Sequence, residues 1–307
     1  PEVLRYAREK GVRIRLWMHW KALRPQIDEA FPLYEQWGIE GVMVDFMDRD
    51  DQEMVNFYHE MVEKAARHHL TVTLHGAYKP TGLERTYPNL LTSEAVLNLE
   101  YNKFNRSQGS TPEHELLVPF IRMLAGPLDY HQGGFRHVAE KQFKPRNSGP
   151  LIMGTRSRQL AMYVVYENHL PMVADYPAAY RGETGAEFLK QVPANWDETR
   201  VLAAAVGDYL TIARRRGKEW YVGSMTDSSP REIQLPLNFL GPGKFSADIY
   251  SDLLETDAEG SLSKAAHQQF LVTAKDTIAV KMGSAGGHVI RLTPARAETS
   301  LPGYRAN

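Results

Sequence analysis

The chain has 307 residues, of which 43% are hydrophobic and 24% charged, and its formal net charge is −1 at pH 7. That balance provides no field to gather phosphate backbones or anionic lipid, so neither nucleic acid nor a membrane is an expected partner. Cysteine is absent, which excludes disulfides and thiolate catalysis, and no apolar run reaches the length of a membrane span.

The length suits one large domain and a small one. The sequence opens Pro1-Glu-Val-Leu-Arg5, without Met or a signal-like stretch, inside an amphipathic pattern. We therefore expect an N-terminal part of the same polypeptide to precede it, carrying any targeting signal.

Strand-like and helix-like runs alternate from the start. Val12–Trp17 reads as a first strand and Phe31–Trp37 as part of the helix after it. Gly41–Phe46 is a second strand, followed by a helix with Met54, Phe57, Tyr58, Met61, Val62 and Ala65 at helical spacing. Leu70–His75 is the third strand, Val96–Glu100 the fourth, Gly126–Tyr130 the fifth and Leu170–Asp175 the sixth, with helical stretches at Leu116–Met123 and Arg158–Tyr166. Repeated β-then-α units predict a parallel sheet. Six units are two short of a (β/α)8 TIM-type barrel, and the preceding segment would hold the missing two.

Glu198–Leu210 is read as a last helix, with the basic run Arg214–Lys218 capping a helix C-terminus. From Trp220 the texture changes to short runs such as Glu232–Leu235, Phe245–Tyr250, Thr277–Lys281 and Gly287–Leu292, separated by Gly, Pro, Asp and Ser. This predicts a small antiparallel β-sandwich domain. The expected division is a partial catalytic barrel over residues 1–212 and an all-β domain over 213–307.

Each expected barrel strand ends in a polar residue: His19, Asp45, His75, Glu100, Asp129 with His131, and Asp175. Chemistry in such barrels sits at the carboxyl ends of the strands. Any one of these residues could equally be a cap or a satisfied hydrogen-bonding group. Carboxylates on neighbouring strand ends, with Trp17, Trp20, Tyr78 and Tyr101 nearby to stack on sugar or to pack the core, suit glycoside hydrolysis. A zinc hydrolase built from His19, His75, His131 and an Asp is the rival reading, although no paired-ligand spacing supports it.

Longer motifs make the assignment more specific. Val44–Gln52, His75–Gly82, Arg85–Glu94, Leu99–Phe104 and Ala125–Tyr130 resemble the catalytic barrel of glycoside hydrolase family 97, the bacterial α-glucosidases and α-galactosidases. The resemblance implies an N-terminal β-sandwich, a (β/α)8 barrel and a C-terminal β domain, with periplasmic or secreted glycan degradation. In a bacterial chain the Asn105-Arg-Ser107 sequon carries no weight.

The resemblance also implies a mechanism. Inverting members carry base carboxylates just after a His at two strand ends, and the matching positions here are Trp20 and Gly76, neither of which can activate water. Retaining members place an aspartate nucleophile where this chain has Asp45, and Glu100 falls on the general acid. Glu94 matches a calcium ligand, while Gly76 stands where inverting members supply another, so calcium is the implied ion and the site is incomplete in this fragment. His19, Asp48, Arg49 and Lys79 are the candidate sugar contacts, with Asp50 and Asp51 assigned to starting the next helix. The expected activity is a retaining, exo-acting α-galactosidase working by double displacement on an oligosaccharide or other α-galactoside. The alternatives are an α-glucosidase of the same family and a non-catalytic carbohydrate-binding barrel.

Overall fold

The computed structural model describes residues 2–105, 109–254 and 260–305; Arg106 and Ser107 of the sequon lie outside them. The chain divides into two compact units, one made of Pro1–Val96, Arg122–Asp129 and Glu167–Leu170, the other of Leu97–Ile121, Tyr130–Tyr166 and Pro171–Asn307. No helix among the described residues is long and apolar enough to cross a membrane.

The first unit is built on four parallel strands, β1 (Arg15–His19), β2 (Gly41–Asp45), β3 (Thr71–Leu74) and β4 (Leu90–Ser93), in the order β1-β2-β3-β4. Val42, Val44 and Val72 are fully buried, as expected of a strand covered on both faces. The helix Gln52–Arg67 between β2 and β3 starts at Asp51, whose side chain accepts from the Met54 N–H. It buries the predicted stripe of Met54, Phe57, Tyr58, Met61, Val62 and Ala65 against the sheet core. Beyond β4, Leu128 bridges Ser93 in parallel and the Asp129 N–H donates to the Ser93 carbonyl at 3.0 Å, which extends the sheet edge by one short contact.

The second unit contains an antiparallel six-stranded sheet and two two-stranded ones, of which that of its first two strands is parallel. Its strands are β5 (His137–Val138), β6 (Ile152–Met153), β7 (Glu198–Ala205), β8 (Tyr209–Arg216), β9 (Glu219–Thr226), β10 (Arg231–Pro236), β11 (Phe245–Ser251), β12 (Ala266–Val272), β13 (Thr277–Met282) and β14 (Gly287–Pro294). The large sheet runs β12-β11-β14-β9-β8-β7, while β10 pairs with β13. Trp220, Val222, Ile249, Ile290 and Leu292 of the large sheet share a core with Leu235, Ile278, Val280 and Met282 of the small one.

The fully buried helix Arg156–Val165 packs on β9 and β14. Gly223 makes room for it: a Cβ there would come within 2.8 Å of the Ala161 carbonyl. Within this helix Arg158, fully buried, donates to Glu115 at 2.9 Å and to the Thr226 carbonyl at 2.6 Å, and also reaches the Pro112 carbonyl.

Several expected elements differ. Val96–Glu100 is not a strand; Asn98 caps a 3-10 turn over Leu99–Lys103, and the fourth strand lies earlier at Leu90–Ser93. Leu170–Asp175 contains no strand. Glu198–Leu210 is not helical but forms β7 and the start of β8, so the expected boundary at 212/213 would fall inside β8. The basic run Arg214–Lys218 caps no helix. It ends β8 and turns into β9, with Arg215 bonded to Glu198 and Arg216 to Asp197 at 3.0 Å each.

Removing one partner of a buried ion pair leaves the other charge desolvated. Arg158→Met is therefore expected to destabilise the protein by about 3 to 5 kcal/mol, measured by denaturant unfolding. A loss within error of zero would show that the Arg158 network is not what holds Glu115, Pro112 and β9 together.

Candidate active site

Parallel pairing places the polar strand ends of the first unit on one edge. His19 stands opposite Asp45 in register, the His75 N–H donates to the Val44 carbonyl at 3.0 Å, and the Glu94 N–H donates to the Leu74 carbonyl at 2.9 Å. Asp45, His75, Glu94 and Asp129 are all buried. Sequence reasoning assigned each of them to a strand end, except Glu94, which came only from the family motif.

Asp45 is held from two sides. The Trp17 indole N–H donates to its Oδ2 at 2.9 Å, and the Phe46 backbone N–H donates to its Oδ1. Phe46 takes a left-handed backbone (φ 59°) and projects half-exposed, stacked on His19 at 5.1 Å and edge-on to Trp17 at 6.3 Å. Gly76 lies alongside with φ 52°, and a Cβ there would stand 3.1 Å from Asp45 Oδ1 and 3.1 Å from the Phe46 backbone. The residue type at 76 thus leaves its space to the Asp45 carboxylate.

Behind this pair His75 bridges two carboxylates, its Nδ1 2.7 Å from Asp129 Oδ2 and its Nε2 3.4 Å from Glu94 Oε1. Glu94 also accepts the Gly76 N–H at 2.7 Å. Arg122 supports the same turn from beneath, donating to the carbonyls of Ser93 (2.6 Å), Glu94 (3.0 Å) and Gly126 (3.1 Å). Burial pulls its guanidinium pKa down to about 10, against the opposing pull of Asp129 and Glu84. Sequence reasoning missed Arg122, since it is far from Glu94 in the chain and acts on carbonyls, which leave no pattern.

Calcium takes about six to eight oxygen ligands. Glu94 offers carboxylate oxygens, but the Gly76 N–H at 2.7 Å and His75 Nε2 at 3.4 Å present nitrogen to them, so this donor set fits calcium only in part. His19 does not join the zinc set expected of it: its Nδ1 accepts the Lys21 N–H at 3.1 Å, and among the described residues no group of three metal-ligating side chains includes it.

The second unit carries Glu100, on the 3-10 turn Leu99–Lys103. The fully buried Asn98 positions it: Oδ1 accepts both the Leu99 N–H at 2.8 Å and the His131 N–H at 2.9 Å. Asn98 is a residue that sequence reasoning passed over, although an Asn before a short helical turn is a readable cap. Glu100 lines a cavity of about 230 Å³ together with His131, Arg136, Ile152, Met172 and Asp175.

The candidate sugar contacts divide. Asp48 and Lys79 are exposed, Asp48 with φ 35° and its N–H on the Gly76 carbonyl at 2.6 Å. Arg49 is engaged by Asp51 at 2.6 Å and Glu53 at 2.9 Å, at the start of the helix Gln52–Arg67. It is thus tied to the helix end that Asp51 caps. Of the two acids assigned to that start, Asp51 is the cap, while Asp50 stays in the exposed loop.

Buried carboxylates at the carboxyl edge of a parallel α/β sheet and a separate antiparallel β domain define a modular α/β and all-β architecture. The family model described as "Glycoside hydrolase 97" matches residues 1–96, and that described as "Glycosyl-hydrolase 97 C-terminal, oligomerisation" matches residues 195–293. Over 292 residues the chain is 37% identical to the retaining α-galactosidase of Bacteroides thetaiotaomicron, covering 95% of this chain and 44% of that protein. It is 34% identical over 255 residues to a probable retaining α-galactosidase of Streptomyces bingchenggensis, covering 82% of this chain and 38% of that protein. A family 97 enzyme from Pseudoalteromonas sp. strain K8, solved in complex with acarbose, superposes with a TM-score of 0.86 at 31% identity, covering 96% of this chain and 49% of that one. The chain belongs to glycoside hydrolase family 97, and it spans less than half the length of these relatives.

A side chain at position 76 would be strained by the positive φ and crowded by Asp45. Gly76→Ala is expected to lower stability by about 1 to 3 kcal/mol, read as a lowered Tm. An unchanged Tm would show that this turn yields easily and that Gly76 does not constrain Asp45.

Proposed function

We propose that this chain carries the reacting residues of a retaining α-glycosidase, with Asp45 as nucleophile and Glu100 as acid/base. The observation behind the reading is Asp45 itself. It is a buried carboxylate at a strand end, fixed by the Trp17 and Phe46 N–H groups, beside a glycine that keeps the adjoining space clear.

In the first step an Asp45 oxygen attacks the anomeric carbon while Glu100 gives its proton to the departing glycosidic oxygen. In the second, Glu100 takes a proton from water as that water cleaves the sugar–Asp45 ester. Two inversions restore the α configuration, and the chemistry calls for carboxyl groups roughly 5 to 5.5 Å apart. Loss of the Asp45 charge on glycosylation lets Glu100 change from acid to base.

An α-galactoside is the proposed substrate, in keeping with the names of the Bacteroides and Streptomyces relatives. An α-glucoside is the second reading, favoured by the Pseudoalteromonas enzyme, solved in complex with acarbose and panose. We also propose that β1 to β4 belong to a (β/α)8 barrel, that Glu94 is one of several oxygen ligands to a structural calcium, and that the whole protein acts in the periplasm or outside the cell.

Proton NMR of the first-formed sugar tests the reaction: the α-anomer is expected, and initial β-anomer would rule out retention. Asp45→Ala should lose roughly three orders of magnitude or more in kcat and, with azide as external nucleophile, release the β-glycosyl azide. Trp17→Phe removes one donor from the nucleophile and should slow the glycosylation step roughly tenfold. An unaffected rate in trapping by a 2-fluoro sugar would show that the indole N–H does not position Asp45.

A further inference from the structure

His131 and Asp175 have no part in the double displacement, yet both line the cavity that Glu100 also lines. We propose that this cavity is the leaving-group subsite and that it takes a single sugar residue, held by the Arg136–Asp175 ion pair. The inference rests on the glycosidase reading and adds to it what the sugar is attached to.

The acid's task fixes the location. Glu100 must deliver its proton to the glycosidic oxygen, so the group that leaves with that oxygen lies against the acid's own surroundings. A volume of about 230 Å³ is below the roughly 300 to 1,000 Å³ of sites for larger ligands. That is room for one ring and not for a chain.

The lining suits a sugar. Ile152 and Met172 offer an apolar surface to the C–H face of a ring, while Arg136 and Asp175 supply hydrogen-bonding groups for its hydroxyls. Arg136 donates to Asp175 Oδ1 at 2.6 Å and lies over the Tyr176 ring at 4.8 Å, which leaves further guanidinium N–H groups for a ligand.

The segment carrying Asp175 is fixed although it is not a strand. The Ala174 N–H donates to the Gln132 carbonyl at 3.0 Å, Tyr163 donates to the Met172 carbonyl at 2.6 Å, and the Asp175 N–H donates to the Tyr180 hydroxyl at 2.8 Å. These bonds hold the ion pair in place before any ligand arrives, which lowers the ordering cost of binding.

The test compares two substrates of the full chain. α-Galactosyl fluoride has a leaving group too small to fill the cavity, whereas an α-galactosyl-glucose disaccharide places a sugar there. Arg136→Met and Asp175→Asn are expected to lower kcat/KM for the disaccharide roughly tenfold or more and to leave the fluoride within about twofold. Val173→Trp, at the exposed rim of the cavity, should do the same by filling it, without touching the ion pair. Equal losses on both substrates, or no loss on the disaccharide, would overturn the subsite while leaving the glycosidase reading intact. If the parent turns over neither α-galactosyl nor α-glucosyl fluoride, the activity itself fails and the subsite with it.

Discussion

Parallel pairing of β1 to β4 is the constraint on which the rest of the first unit depends. In a parallel sheet every strand delivers its C-terminal end to the same edge, so one register aligns His19 with Asp45 and sends His75 and Glu94 out beside them. A slip by one residue would turn Asp45 to the opposite face and bring Val44 out in its place. Burial resists that slip: Val42 and Val44 are fully buried, and Met47, just past the turn, is buried as well. The position of the carboxylate is thus a consequence of apolar packing one to three residues away.

The turn after β2 shows how that position is refined. Phe46 and Gly76 both have positive φ, and a Cβ at 76 would stand as close to the Phe46 backbone as to the Asp45 carboxylate. Two neighbouring strand ends therefore compete for one small volume. With glycine at 76 the volume goes to Asp45, and two N–H donors then settle its orientation. A carboxylate at 76 in addition to Asp45 would add a like charge at short range. The local geometry makes the two arrangements alternatives.

What could be read from the sequence follows the strength of local signals. Long apolar runs ending at Asp45 and His75, and the helical stripe from Met54 to Ala65, have one physical interpretation, and the structure agrees with it. Val96-Leu-Asn-Leu-Glu100 has the texture of a strand, but Asn98 accepts two backbone N–H groups and so favours a capped turn. Val201-Leu-Ala-Ala-Ala205 is rich in helix formers, yet pairing with β8 overrides that preference, with a bulge between Val201 and Ala203. Leu170–Asp175 has the apolar texture of a strand, but its bonds go to Gln132, Tyr163 and Tyr180 and not to a neighbouring strand. In each case a deciding partner lies outside the segment, His131 for the first, β8 for the second and Gln132 for the third, where the segment's own periodicity carries no information.

The proposed nucleophile and the proposed acid each rest on hydrogen bonds within their own unit. Asp45 depends on Trp17, the turn at Gly76 and the packing of β2. Glu100 depends on Asn98, in the unit where Arg158 joins residues 112–115 to β9. Arg158 and Glu115 are almost completely buried, so each owes its low-cost burial to the other. Weakened support for Glu100 would slow departure of the leaving group, and it would be felt most by substrates whose leaving group needs a proton. A poorly basic leaving group requires little help from an acid. The dependence of rate on leaving-group basicity therefore reports which of the two anchors a given substitution has disturbed.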